Sequence, residues 1–144
     1  MSELSSTDHA VLDRAECLRL LATAAVGRIV FTERALPAVI PVSYGLDGER
    51  IVIKTSAGSA VVGAGRHAIV AFQVDELDRG SHTGWSVVAT GPARLCIDQV
   101  EIAHLDRLPL PAWTPGHGER YLLIEPELFT GRMLRAEATG VFRP

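Results

Sequence analysis

Residues 59–68 read Ser59-Ala60-Val61-Val62-Gly63-Ala64-Gly65-Arg66-His67-Ala68. The run contains G-x-G-x-x-A, close to the phosphate loop of a dinucleotide-binding fold. Such a loop needs a strand before it and a helix after it, inside a βαβ unit. Ala60-Val61-Val62 is too short for a buried parallel strand. On its C-terminal side, Ala68-Ile69-Val70-Ala71-Phe72-Gln73-Val74-Asp75 is rich in β-branched residues and predicts a strand. About 20 residues on, where an acidic side chain would hold the ribose, stands Trp85. The stretch therefore reads as a short helix over Ser59 to Ala64, ended at Gly63 to Gly65, between two strands.

Working outward, strands dominate. Arg50 to Thr55 precedes the short helix, and Leu46-Asp47-Gly48-Glu49 before it is a hairpin turn of Asp-Gly type. Leu36 to Tyr44 is a strand interrupted by Pro37 and Pro41, which cannot donate to a ladder and mark an edge or bulges. Arg28 to Thr32 precedes it. Asp78 to Gly84 is a polar loop, and Trp85 to Ile97 is a long strand kinked at Gly91-Pro92. Tyr121 to Pro126 and part of Phe129 to Phe142 complete the strands. Helices are few. Asp13 caps one, with Glu16 three residues on, and Gly27 ends it. Asp98 to Leu108 is a second, and an irregular loop runs from there to Gly118. Strands joined by hairpins, without strict strand–helix alternation, exclude a doubly wound parallel sheet. They predict a mainly β fold, an antiparallel barrel with a few outer helices.

The chain has 144 residues, which suits one domain over 12–144 after a flexible N-terminal tail over 1–11. Its net charge is −3, with 17 acidic and 14 basic residues and no Lys/Arg stripe, which argues against nucleic acid as a partner. No apolar run is long enough to span a bilayer, so no membrane partner is expected. Cys17 and Cys96 lie far apart in apolar stretches and read as reduced core thiols. With a polar N-terminus lacking an apolar signal core, this predicts a cytoplasmic protein. His9, His67, His82, His104 and His117 have no ligand spacing, so no metal site is assigned. No G-x-S-x-G elbow is present, and no catalytic residue is assigned.

One place gathers polar groups. Lys54-Thr55-Ser56-Ala57-Gly58-Ser59 runs off a strand into the short helix, bringing hydroxyls and free backbone N–H groups to its N-terminus. Such a bend attracts a phosphate, and Arg66 can add a charge-assisted contact. The same residues, Thr55, Ser56 and Ser59, equally suit a plain helix cap. Trp85 and Tyr44 suit core as well as cofactor contact, and Lys54 suits solvent.

In order along the chain, the segments Asp13-Arg14-Ala15-Glu16-Cys17-Leu18-Arg19-Leu20-Leu21, Val26-Gly27-Arg28-Ile29, Pro41-Val42-Ser43-Tyr44, Ile53-Lys54-Thr55, Ala71-Phe72-Gln73-Val74-Asp75-Glu76 and Gly84-Trp85-Ser86-Val87-Val88-Ala89-Thr90-Gly91 resemble the pyridoxamine 5′-phosphate oxidase-like family of flavin-binding split β-barrels. The resemblance covers roughly residues 12 to 97. It implies a homodimer with FMN in each of two grooves between subunits. It further implies that Val42, Ser43, Tyr44, Ile53, Lys54 and Thr55 line the flavin ring. Thr55, Ser56 and the loop after them would approach the phosphate, and the Trp85-Ser86 segment would pack near the cofactor, usually from the other subunit. The implied activity is that of an oxidoreductase using NAD(P)H and a small organic acceptor. Two positions depart from the pattern: Ala60 stands where many relatives carry a lysine at the phosphate, and Gln73 where they often carry an acid. Arg66 or Lys54 would then supply the cation. The departures also keep open a deazaflavin-dependent reductase, a haem in the groove, or a ligand-binding dimer without catalysis.

Overall fold

The computed structural model describes residues 9–110 and 119–135. In chain order the elements are β1 (His9–Val11), α1 (Arg14–Leu21), β2 (Val26–Glu33), β3 (Leu36–Ser43), β4 (Gly45–Asp47), β5 (Arg50–Ser56), a 3₁₀ turn (Ala60–Gly65), β6 (Arg66–Asp78), β7 (Thr83–Leu95), α2 (Gln99–Asp106), β8 (Glu119–Ile124) and β9 (Leu128–Leu134). The strands form one sheet in the order β3-β2-β6-β7-β8-β5-β4, with β9 pairing β7 and β1. Every strand pair is antiparallel. β3 also approaches β5, which curls the sheet towards closure.

Alternation sets the two faces. Along β7 each residue from Trp85 to Ala93 switches between buried and half-buried. Ile29, Phe31, Phe72, Val74, Val87 and Ala89 turn inward to one core, which α1 closes with Cys17, Leu20 and Leu21. A smaller core of Val52, Cys96, Leu105, Tyr121 and Leu123 lies under α2. β5 serves both: Ile51 and Ile53 face the first and Val52 the second.

β7 holds the two halves together by changing partners. Gly84 to Thr90 pair with β9, and Ala93 to Leu95 pair with β8. At the changeover Gly91 lets the Glu125 backbone cross, since a Cβ there would lie 2.1 Å from the Glu125 carbonyl oxygen. The kink expected at Gly91-Pro92 is thus an exchange of neighbours within a continuous strand.

The two ends of α1 behave differently. Asp13 accepts a hydrogen bond from the Glu16 N–H at 2.9 Å, as its position predicts. The helix stops at Leu21, however, and Val26 and Gly27 already belong to β2. Gly27 is no helix terminator: a Cβ there would meet the Phe72 ring at 2.5 Å. The tail expected over 1–11 gives its last three residues to β1, which pairs with β9. The edge role of Pro37 and Pro41 holds, because β3 ends the strand order. The hairpin holds too, but its two-residue turn is Gly48-Glu49 and not Asp-Gly: Asp47 is the last residue of β4 and pairs with Arg50, and Gly48 takes φ +63°. The irregular loop expected up to Gly118 and the end of the Phe129 to Phe142 segment fall partly outside the described residues.

α2 is locked to the barrel by ions. Arg94 donates two hydrogen bonds to the Glu101 carboxylate, at 3.0 and 2.9 Å. Arg50 bridges Glu101 at 2.7 Å and Asp47 at 2.6 Å. These guanidiniums hold the Glu101 carboxyl well below the usual carboxylate range, and Arg50, then His104, lowers Asp47.

Candidate functional site

The bend between β5 and β6 is built from short-range bonds. The Ser59 N–H donates to the Ser56 carbonyl at 3.0 Å, and the Val62 N–H to the Ser59 carbonyl at 3.1 Å. The Ser59 hydroxyl accepts from the Val61 N–H at 3.1 Å. The expected short helix is therefore present as a six-residue 3₁₀ turn capped by Ser59. The last glycine inside it, Gly65, has a packing role. A Cβ on Gly65 would lie 2.7 Å from Leu95 and 2.9 Å from Leu122. Val61 and Ala64 are buried in the main core. Thr55 is half-buried, Ser56 and Arg66 are exposed, and Arg66 opens β6 just beyond the turn. The field is mixed, because Glu33 reaches to within 4.0 Å of where a Gly63 Cβ would stand.

The strand ends beside this bend divide their side chains between two faces. Val42 packs against the main core. Tyr44 is 2% exposed, its hydroxyl donates to the Leu21 carbonyl, and its ring meets Phe72 edge-on at 4.9 Å. Burial, with the Glu76 charge adding to it, pushes the Tyr44 phenol up, so it stays protonated. Ile53 and Trp85 are also core side chains. The side chains of these residues belong to the core, so only their backbone is left to face a groove. Lys54 alternates away from Ile53 and lies opposite Tyr121 on β8, on the side of the α2 core.

Ser43 and Ser86 face outward on the sheet. The Ser43 hydroxyl is buried and makes no hydrogen bond among the described residues. An unsatisfied buried hydroxyl costs about 1–3 kcal/mol. It closes β3, and two residues on Gly45 pairs with Val52 of β5, so Ser43 lies beside the part of β5 that leads to Thr55 and Ser56.

On the same outer face lies a polar cluster that sequence patterning did not assemble. The Gln73 amide N–H donates to Asp75 at 2.6 Å and towards the Ser86 hydroxyl at 3.4 Å. Arg28 donates to the Gln73 carbonyl oxygen at 3.2 Å and stands 3.8 Å from Asp75. The i, i+2 spacing of Gln73 and Asp75 puts them on one face. Adding Arg28 and Ser86 requires knowing that β2 and β7 flank β6.

Comparison with known proteins places this architecture. The family model described as pyridoxamine 5′-phosphate oxidase matches residues 13–133. An uncharacterized protein of Mycobacterium tuberculosis is 37% identical over 142 residues, which covers 95% of this chain and 93% of that protein. The structure of the FAD binding protein from Mycobacterium smegmatis superposes with a TM-score of 0.75 at 29% identity, covering 87% of this chain and 97% of that one. The FAD and heme binding protein from the same organism shares the fold, with a TM-score of 0.70 at 18% identity over 92% of this chain and 77% of that chain. The mostly antiparallel curled sheet with few helices is the split barrel expected from sequence. On the match to residues 13–133, the chain belongs to the pyridoxamine 5′-phosphate oxidase-like family.

Proposed function

We propose that this chain binds a flavin coenzyme in a groove that a second copy of the chain completes, and that it moves reducing equivalents from NAD(P)H to a small organic acceptor. The carrying observation is the buried, unpartnered Ser43 hydroxyl at the seam of β3 and β5. Similarity to the FAD binding protein of Mycobacterium smegmatis supports a flavin as the group that satisfies it.

The chain's own residues would divide the work. Ser43 supplies a hydrogen bond to a polar edge of the ring. The backbone of Val42, Tyr44, Ile53 and Lys54 lies along the ring, with the Tyr44 and Trp85 side chains stiffening the wall from within. Thr55, Ser56 and Ser59 offer hydroxyls to the anionic tail and Arg66 a cation. Ser86 approaches from the second copy. When bound, the flavin supplies the hydride chemistry, and the protein supplies position and field. No side chain here is assigned as acid or base. Both FMN and FAD fit this division. The anion site needs one phosphate, and the exposed bend leaves a longer tail room to extend.

A second copy is motivated by the outer face itself. Val39 is 59% exposed, Ile69 60% and Leu128 57%, with the half-buried Val30, Ala71 and Val88 among them. An apolar sheet face of this kind marks an association surface.

The test is uptake of FMN, FAD and deazaflavin by the purified chain, read by absorbance and fluorescence, with Ser43→Ala beside the wild type. Binding of a flavin, weakened about fivefold to tenfold by Ser43→Ala through one lost hydrogen bond, is expected. Failure of the wild type to take up any flavin overturns the proposal. Ala60, and Glu33 near the 3₁₀ turn, favour a second reading, a ligand-binding dimer without turnover. Flavin binding with no NADH or NADPH oxidation across a panel of acceptors would select it.

A further inference from the structure

The outer sheet face carries a charge pattern that decides how two copies would meet, given the self-association proposed above. Two rows of residues cross its strands. In the first, Pro41, Arg28, Gln73, Val88 and Thr130 are consecutive neighbours. In the second, Ser43 pairs with Val26, Asp75 with Ser86, and Ser86 with Arg132. The β2–β6 register, extended by two residues, sets Val26 beside Asp75. The positive Arg28 thus stands on β2 and the negative Asp75 on β6, the next strand, and Arg132 on the outlying β9 is the one other charge in these two rows. Their own contact is loose, at 3.8 Å, and Arg28 keeps 48% of its side-chain surface exposed.

Charges buried between two sheets are costly unless they are paired, and like charges set opposite one another oppose association. A twofold axis crossing the strands through the first row would set Arg28 on Arg28. An axis parallel to the strands, between β2 and β6, sets β2 of one copy over β6 of the other. Each Arg28 then lies over the Gln73–Asp75 side of its partner, and β3 lies over β7. The same operation brings Ser43 of one copy over Ser86 of the partner subunit. The unpartnered hydroxyl and the segment expected from the other subunit would then meet at one groove. Aligned sheet packing, at roughly 30° between strand directions, leaves these relations intact.

The geometry points to a face-to-face homodimer whose register is fixed by Arg28 of each copy pairing with Asp75 of the partner subunit across a twofold axis along β2 and β6.

Charge reversal tests this. Arg28→Asp makes positions 28 and 75 both negative, and Asp75→Arg makes both positive. Each variant alone should raise the dimer dissociation constant by about tenfold or more in sedimentation equilibrium at low salt. Mixed in equal amounts, the two should form a heterodimer, because each supplies what the other repels. Circular dichroism and thermal melting check that each variant is folded. If either is not, Val39→Cys with Thr90→Cys replaces them, because the same operation sets the exposed Val39 of β3 over Thr90 of β7. The native Cys17 and Cys96 are buried, and a bismaleimide spanning ~10 Å, the spacing of packed sheets, should link the double variant into a covalent dimer and leave each single variant unlinked. A wild type that sediments as a monomer at micromolar concentration overturns the homodimer itself. A dimeric wild type with unaffected folded variants, no heterodimer from the mixture, or no linking of the double variant overturns this pairing and leaves the homodimer standing.

Discussion

The partner change in β7 makes Gly91→Ala the sharpest test of the fold. A Cβ at this position would lie 2.1 Å from the Glu125 oxygen, 2.9 Å from the Glu125 carbonyl carbon and 2.9 Å from the Pro126 Cα. All three are backbone atoms, so no side-chain rotamer relieves the clash. The crossing chain must move away, and it is tied at both sides. The Glu125 N–H donates to the Pro92 carbonyl at 3.0 Å, and the Glu127 N–H to the Thr90 carbonyl at 2.8 Å. Overpacking costs about 1–3 kcal/mol, and each weakened backbone hydrogen bond adds about 1 kcal/mol. Alanine returns roughly 0.5–1 kcal/mol by restricting the unfolded chain. The expected loss is therefore about 2–4 kcal/mol, a large part of the ~5–15 kcal/mol that holds a domain together. Urea unfolding monitored by circular dichroism measures it. Gly58→Ala is the control, because a Cβ there meets nothing within 4 Å and the backbone is not left-handed. A Gly91→Ala protein within about 0.5 kcal/mol of wild type, the ordinary range of a neutral surface change, would refute the crossing as described.

Particular bonds carry three further expectations. Tyr44→Phe keeps the ring on Phe72 but leaves the Leu21 carbonyl without its donor; thermal melting should show a loss of about 1–2 kcal/mol. Asp13→Ala removes the α1 cap and should cost about 1 kcal/mol, with flavin uptake unchanged in the same titration. The clamp on α2 should make the protein acid-sensitive. Glu101 and Asp47 have folded-state pKa values below their unfolded ones. Their contribution is complete above the unfolded values near pH 4 and is lost as pH falls towards the folded ones. Glu101→Gln should cost about 1.5–3 kcal/mol at pH 7 and flatten the decline in stability between about pH 5 and 2. An unchanged pH profile would show that the clamp does not hold α2.

Local chemistry was legible where it was self-contained. Asp13 and the hairpin around Gly48 act within a few residues of themselves, and Pro37 and Pro41 forbid a central strand wherever they stand. Glycine misled because two different causes leave the same letter. Gly27 reads as a helix stop, yet its lack of a side chain serves Phe72, 45 positions away in the chain. Gly63 and Gly65 read first as a phosphate loop and then as a helix end, yet Gly65 serves Leu95 and Leu122. The helix end moved for the same reason: β2 begins at Val26 because Val26 pairs with Ser43 and the Tyr44 N–H donates to the Ala25 carbonyl at 3.1 Å. The site shows the limit in another form. Strand parity separates Ser43 from Val42 and Ser86 from Trp85, and it predicts that one of each pair faces out. It does not say that the two outward serines share one face. That depends on β2 and β6 lying between β3 and β7, which is a property of the sheet order and not of either segment. Strand order is also what sets Arg28 beside Gln73 and Asp75, so the residues that would govern how two copies pair became visible only once the sheet was assembled.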